Sequence, residues 1–338
     1  MSQERGVSLR PVIELAEAGQ VDADVFKNYV EYLQKNKACD DERSQLLTAL
    51  WALDFAQEGV SELIQTTVET APPQSPLRRQ FFQLAAADLQ KRQRPNQSLI
   101  AIARLWQQLQ PGNIPVLVGL INLYQQQGDY ERGVDYARIF CDRAPDIPKK
   151  IAAHYLLLRC LLTSGGGFER ARGVHQSLER LLEQLVQEQP PLELPDIIQG
   201  FAVTSFLPYL EDNPQKLHRL RSQVSGFLQG KVREQFGFTE PPPPSGQLRR
   251  IGYLSASFRR NSVGYLVRWL LKAHHPQLQV FAYSLRQTGD AIQQEIAESV
   301  SHFRDCSQLQ IPQIAQLIRQ DGLDLLIDLD SLISSPVN

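Results

Sequence analysis

The chain has few of the features that mark secreted, zinc-binding or membrane proteins. Its four cysteines are scattered and form no C-x-x-C pair, so neither a disulfide framework nor a zinc site is indicated. No apolar run approaches the ~18 residues that a membrane span requires. Residues 1–19 carry charges and lack the sustained apolar core of a signal peptide. These absences favour a reducing, cytoplasmic location and predict no membrane partner.

Strong charge of either sign is also missing. The formal net charge is −2 at pH 7, which argues against general nucleic-acid binding because phosphate backbones attract strongly basic surfaces. The 338 residues are 42% hydrophobic and 21% charged, as expected of a globular chain long enough for two domains.

The first half of the chain predicts helix after helix. Amphipathic segments are expected at 12–18 and 25–34, and Asp40 can cap a helix that carries apolar residues as far as Phe55 and stops near Gly59. Each segment has one apolar stripe, so each needs neighbours to bury it.

The clearest repeat spans 114–145. Its first helix presents Leu117, Leu120 and Tyr124, residues 127–130 form a turn, and Gly133 allows a second helix to pass close to the first. Pro111 and Pro145 are separated by the period of a tetratricopeptide repeat, ~34 residues. Helix pairs at 81–109 and 151–185 extend the pattern, which predicts a helical tetratricopeptide-like repeat region over residues 1–190. The alternative is an irregular helical bundle without a continuous concave surface.

Residues 191–240 follow as a helical linker, with one amphipathic helix marked by Leu217, Leu220, Val224 and Leu228. Four prolines at 241–244 then favour an extended spacer over 241–247.

The chain changes character at residue 248. Strands are expected at 250–255, 280–285, 302–306 and 323–329, with helices between them from 263 to about 274, at 292–300 and from Pro312 to Gly322. This alternation predicts a parallel, doubly wound sheet whose chemistry lies at the carboxyl ends of its strands.

Three separated motifs in this part, residues 250–285, 302–309 and 314–331, resemble the opening lobe of the protein O-GlcNAc transferase family of the SPINDLY type. The linker resembles that of cyanobacterial-looking members. The resemblance implies α + α/β architecture, in which a tetratricopeptide array precedes a GT-B, Rossmann-like glycosyltransferase. Residues 248–338 would be a truncated first lobe of that enzyme.

The same resemblance nominates three residues in the loop after the first strand, Phe258, Asn261 and Tyr265. Family members usually carry histidine where this chain has Asn261, and histidine or an aromatic residue where it has Tyr265. An amide does not titrate near neutral pH, so Asn261 is able to orient a hydroxyl but not to act as a base. The alternative role for Asn261 is to cap the helix that follows.

Two further patterns have competing interpretations. Asp328 and Asp330 form a D-x-D pattern, but the family is metal-independent, so structural carboxylates at a strand end are favoured and no metal is expected. No acidic residue lies between Glu240 and Asp290. The same stretch contains seven basic residues: Arg249, Arg250, Arg259, Arg260, Arg268, Lys272 and Arg286. Such a patch either attracts a phosphate or an acidic partner or forms a solvated basic face.

The leading functional hypothesis is an O-GlcNAc transferase-like protein that passes N-acetylglucosamine from UDP to a serine or threonine of a protein held by the repeats. In GT-B enzymes the second lobe holds most of the nucleotide sugar, so the chain is expected to be incomplete, without a cofactor site, and inactive alone. One alternative is a non-catalytic adaptor that binds a protein or peptide in the repeat groove. Another is a helical domain fused to a flavodoxin-like receiver, which is disfavoured because no acidic cluster follows the first strand.

Overall fold

A computed structural model describes residues 8–36, 39–165, 167–237 and 249–330. The chain divides into two compact units, Met1–Gln184 and Leu185–Asn338. The spacer expected at 241–247 lies outside the described residues. The predicted fold class is confirmed, because a long run of helices precedes a four-stranded parallel sheet.

The first unit is built of helices. These are α1 (Arg10–Glu17), α2 (Ala23–Lys35), α3 (Asp40–Trp51), α4 (Val60–Glu69), α5 (Pro76–Lys91), α6 (Asn96–Leu109), α7 (Ile114–Gln126), α8 (Tyr130–Arg143) and α9 (Ile147–Ser164), followed by α10 (Phe168–Glu188), which crosses the unit boundary.

The α7–α8 pair forms as the sequence predicts. Asn113 caps α7 through the N–H of Val116, and Gly128, at a φ of 78°, ends it in the left-handed conformation that favours glycine. Asp129 then caps α8 through the N–H of Arg132. Helix α8 packs between α7 and α9.

Two expectations for the first unit were wrong in detail. Cys39, not Asp40, occupies the N-cap of α3, and α3 ends at Trp51, so Phe55 lies in the following turn. Helix α4 was not predicted. It starts after Gly59, which has a φ of 82° and packs against Phe26.

The second unit begins with α11 (Leu194–Val203), a 3-10 helix (Thr204–Tyr209) and α12 (Pro214–Phe236). Leu217, Leu220, Val224 and Leu228 are all buried, as the amphipathic pattern of α12 predicts. Helices α11 and α12 approach closely at Gly200, where an added Cβ would lie 2.8 Å from a methyl group of Leu228.

The sheet follows with alternating strands and helices: β1 (Arg250–Ser255), α13 (Ser262–Lys272), β2 (Gln279–Ser284), α14 (Ala291–Ser299), β3 (His302–Asp305), α15 (Ile311–Gln320) and β4 (Leu325–Asp328). The strand order is β3-β2-β1-β4 and all pairings are parallel. The last strand is shorter than the expected 323–329.

Helices cover both faces of the sheet. On one face Val267 and Leu271 of α13 and Ile292 and Ile296 of α14 pack on alternate residues of β1 and β2. On the other, apolar residues of α15 pack on Phe281 and Tyr283. Alternation of side chains between the two faces of each strand produces this three-layer arrangement.

None of the helices in the described part of the chain combines the length and apolarity needed to cross a lipid bilayer.

Candidate active site

The direction of the chain through the sheet reverses beside β1. From β1 the chain moves outward to β2 and β3, and then returns to place β4 on the other side of β1. A doubly wound sheet binds its ligands at such a switch point, outside the carboxyl ends of the strands. The candidate site is therefore the carboxyl edge where the loops after β1, β2 and β4 emerge.

Asp330 holds the loop after β1 at this switch point. It is 8% exposed, accepts a hydrogen bond of 2.9 Å from the Ser255 hydroxyl, and accepts another from the Ala256 N–H. The Ser255 hydroxyl also accepts from the N–H of Ser257 at 2.8 Å. These contacts support the structural interpretation of Asp330. Asp328 is exposed and accepts from the Asp330 N–H.

Asn261 caps helix α13. Its Oδ1 accepts a hydrogen bond of 2.7 Å from the N–H of Gly264. The Asn261 side chain therefore performs the alternative role that the sequence predicts, which is to cap the helix after the loop. The loop folds back so tightly that a Cβ added to Gly264 would lie 2.0 Å from the carbonyl oxygen of Arg259. Only glycine fits there.

The other two nominated residues have different environments. Phe258 is fully buried, and its ring packs in the apolar core beneath α13 and α14. Its side chain therefore contributes to the core, and only its backbone contributes to the loop. Tyr265 is 41% exposed, and its ring lies 5.2 Å from the Arg268 guanidinium. Of the three nominated residues, Tyr265 is exposed, Asn261 is partly buried and Phe258 is buried.

A residue that the sequence did not nominate joins the loops after β1 and β2. Gln293 of α14 is 2% exposed. Its Nε2 donates to the carbonyl oxygens of Phe258 (3.0 Å) and Arg286 (2.9 Å), and its Oε1 accepts from the N–H groups of Thr288 (2.9 Å) and Gly289 (2.8 Å). One buried amide thus fixes both loops, and its hydrogen-bonding capacity is filled.

Asp290 makes a second link between the same loops. It caps α14 through the N–H groups of Ile292 and Gln293, and its Oδ2 accepts from the N–H of Arg260 at 3.0 Å. The hydrogen bond from Arg260, with those from Thr288, Gln293 and Ile292, lowers the pKa of Asp290 from 3.8 to about 2. Asp290 is therefore ionised at neutral pH.

The fold separates the seven basic residues that the sequence groups together. Arg249 and Arg250 lie at the opposite, amino edge of the sheet, where their backbone N–H groups donate hydrogen bonds to the Asp324 carboxylate. Arg268 and Lys272 pair with Glu295 at 3.0 and 2.5 Å, and these two cations lower its pKa. Three remain at the carboxyl edge: Arg259, Arg260 and Arg286.

A second candidate surface lies in the helical unit. Helices α5, α6 and α7 enclose a groove of about 420 Å³ whose walls include Leu89, Trp106, Val116 and Asn122. We call it the repeat groove. The Asn122 side chain accepts a hydrogen bond from the Arg159 guanidinium, which lies 6.0 Å from the Tyr155 ring. The lining is mainly apolar with a few polar groups, as in many ligand-binding pockets.

The second unit has a recognisable sequence relationship. Residues 229–335, from within α12 to beyond β4, match one known family. The match is to Glycosyl transferase family 41. It includes the loop after β1 and the links made by Gln293 and Asp330.

Among solved structures, a point mutant of O-GlcNAc transferase from Thermobaculum terrenum is similar to this chain. The two share 21% sequence identity with a TM-score of 0.48, over 75% of this chain and 45% of the other. This chain thus spans less than half the length of that relative. No curated protein matches.

Gln293 was missed because nothing in its local sequence distinguishes it from an ordinary helix residue. For Asp290 a signal was available, since the T-G-D segment at 288–290 places an aspartate at a helix N-cap shortly after a strand. That pattern marks a loop at the carboxyl edge, although it does not reveal the partner loop.

Proposed function

We propose that the chain is part of a glycosyltransferase of the O-GlcNAc transferase type, in which the carboxyl edge of the sheet forms the acceptor-side wall of the active site. One observation carries the proposal: the segment that matches Glycosyl transferase family 41 contains the switch point between β1 and β4. Ligands of doubly wound sheets bind at that point.

In this proposal the donor is UDP-N-acetylglucosamine and the acceptor is a serine or threonine of a protein in contact with the repeat groove. No metal is required. The groups that neutralise the donor's diphosphate lie outside the described residues, and the chain works in the cytoplasm. Gln293 and Asp290 hold the acceptor-side loops in place, so the acceptor hydroxyl meets a preformed surface. Correct positioning of two reactants supplies ~7–11 kcal/mol of a reaction barrier.

The test compares the 338-residue chain with the same chain joined to the donor-binding lobe of a family 41 enzyme. Calorimetry should detect no micromolar UDP binding by the chain alone, and a radiolabelled-sugar assay should detect no transfer. The joined protein should label an acceptor, and Asn261→His should raise that labelling because histidine titrates near neutral pH. Asn261→Ser, which preserves a capping oxygen, is the matched control. Labelling by the isolated chain would show that the donor site lies elsewhere than proposed.

The second candidate is a non-catalytic adaptor. The contact between Asn261 and Gly264 favours it, because the residue at the family's histidine position is occupied in capping a helix. A joined protein that binds UDP but transfers no sugar, with or without Asn261→His, would support the adaptor.

A further inference from the structure

The three arginines of the carboxyl edge form a basic rim on loops that are tied together. Arg259 and Arg260 follow Phe258, and Arg286 follows β2; the Gln293 amide binds the carbonyl oxygens of both Phe258 and Arg286. Arg260 and Arg286 are exposed, whereas Arg259 is partly buried. We call Arg259, Arg260 and Arg286 the arginine rim.

These guanidinium groups lack ion-pair partners within residues 8–36, 39–165, 167–237 and 249–330. Arg259 Nε is shielded from solvent and has no hydrogen-bond partner there. The nearby Asp290 carboxylate is occupied by backbone N–H groups and the Thr288 hydroxyl. The rim guanidiniums carry three positive charges, and Asp290, Asp328 and Asp330 lie at the same edge. The carboxylates of Asp328 and Asp330 accept hydrogen bonds from N–H and hydroxyl groups of the adjacent loops. Within the described residues, none of the three aspartates forms an ion pair with a rim guanidinium.

Side chains already occupy N–H groups at the two helix N-termini beside the rim. Phosphates bind helix N-termini through unpaired N–H groups. Here Asn261 occupies the Gly264 N–H of α13, and Asp290 occupies the Ile292 and Gln293 N–H groups of α14. The positive charge is therefore carried by side chains spread over two loops, which matches several separate carboxylates better than one compact phosphate.

We propose that the arginine rim binds an acidic polypeptide segment, and that acceptors with aspartate or glutamate beside the modified residue are preferred. The binding of an acidic segment is independent of the proposed function. The statement that this segment belongs to the acceptor rests on the proposed function. Electrostatic complementarity of this kind contributes specificity and association rate, and weakens as salt is added.

The experiment measures fluorescence anisotropy of a labelled peptide with glutamates around a serine, and of the same peptide with glutamines, on the 338-residue chain. The acidic peptide should bind about tenfold more tightly at low salt. Arg260→Gln/Arg286→Gln should remove that preference. The matched control is Arg219→Gln/Arg221→Gln, which removes the same charge from exposed positions on α12 and should leave the preference intact.

Circular dichroism melts verify that both double variants fold. An acidic preference that survives in the rim variant, or that falls equally in the control, would overturn the proposal. So would displacement of the peptide by inorganic phosphate or UDP beyond the effect of sodium chloride at equal ionic strength. Sugar transfer is not part of this binding measurement. If transfer fails while the preference for the acidic peptide remains, the proposed reaction is rejected and the proposed binding by the arginine rim is supported.

Discussion

The amide nitrogen of Gln293 lies 3.0 Å from the carbonyl oxygen of Phe258, a residue 35 positions earlier in the chain. Because the same nitrogen also binds Arg286, the loops after β1 and β2 have a fixed separation before any ligand arrives. Preorganised loops reduce the free energy that binding must spend on ordering them.

Replacing Gln293 by leucine should destabilise the sheet-containing unit by ~1–3 kcal/mol, because buried carbonyl and N–H groups would lose their partners. Hydrogen exchange should accelerate most at the amides of Thr288 and Gly289, which donate to Gln293. Gln294→Leu is the control. Gln294 is exposed, and its hydrogen bond of 3.1 Å to the Gly289 carbonyl oxygen is open to solvent, so a change within ~0.5 kcal/mol is expected there. Similar effects at both positions would contradict the bridging role.

Gly264→Ala should disrupt the start of α13. The new Cβ would meet the Arg259 carbonyl oxygen at 2.0 Å, so the loop must shift. Overpacking of this kind costs ~1–3 kcal/mol, and thermal unfolding measures it. Gly226→Ala on α12, where an added Cβ has open space, should instead stabilise the chain by ~0.5–1 kcal/mol. An unchanged melting temperature for Gly264→Ala would show that the loop is not packed as described.

Asp290 should contribute stability that depends on pH. Its pKa is lowered from 3.8 to about 2 in the folded chain, so its contribution is complete above the unfolded value and is lost as the pH falls through the folded value. The difference in unfolding free energy between wild type and Asp290→Asn should be constant above pH ~5 and shrink as the pH falls toward ~2. Denaturant titrations at several pH values measure it. A difference that does not change over this range would rule out the lowered pKa.

Gly133 should tolerate alanine but not leucine. An added Cβ would lie 3.4 Å from the Cys160 sulfur and 3.7 Å from the Gln125 side chain, in ordinary contact. Leucine at this position must separate α8 from its neighbours, at a cost of ~1–3 kcal/mol. Gly173→Leu, with open space around an added Cβ, is the matched control in a thermal melt. Equal melting temperatures for Gly133→Leu and Gly133→Ala would show that the helices do not pack at this glycine.

Thiol reactivity should follow burial. Cys39 is exposed, whereas burial raises the pKa of Cys141 to about 12 and that of Cys160 to about 11. The reactive thiolate is scarce at such values. Timed alkylation with mass spectrometry should modify Cys39 first, and Cys141 and Cys160 only as the chain unfolds. Rapid modification of Cys160 in folded protein would contradict the packing around α9.

Local signals were sufficient for much of the fold. Strand β1 was predicted at its observed bounds because a short apolar run with few polar interruptions suits a strand buried on both faces. Helices α7 and α8 were predicted because Gly128 and Asp129 end one helix and cap the next within the turn itself. Helix α4 was missed because β-branched residues such as Val60, Ile64 and Val68 weaken the local helical preference. Their burial overrides that preference.

For the site, the sequence determined which loop leaves the first strand and that Asn261 can cap a helix, since both depend on neighbours within a few residues. Tertiary structure alone decided that Phe258 is buried, that Asp330 binds Ser255 across 75 residues, and that Gln293 joins two loops. It also decided which arginines of the carboxyl edge lack an ion-pair partner among the described residues, because Glu295 reaches Arg268 and Lys272 only when α13 packs beside α14. Parallel strands bring such distant segments to one edge of the sheet, and no pattern of nearby residues encodes that meeting.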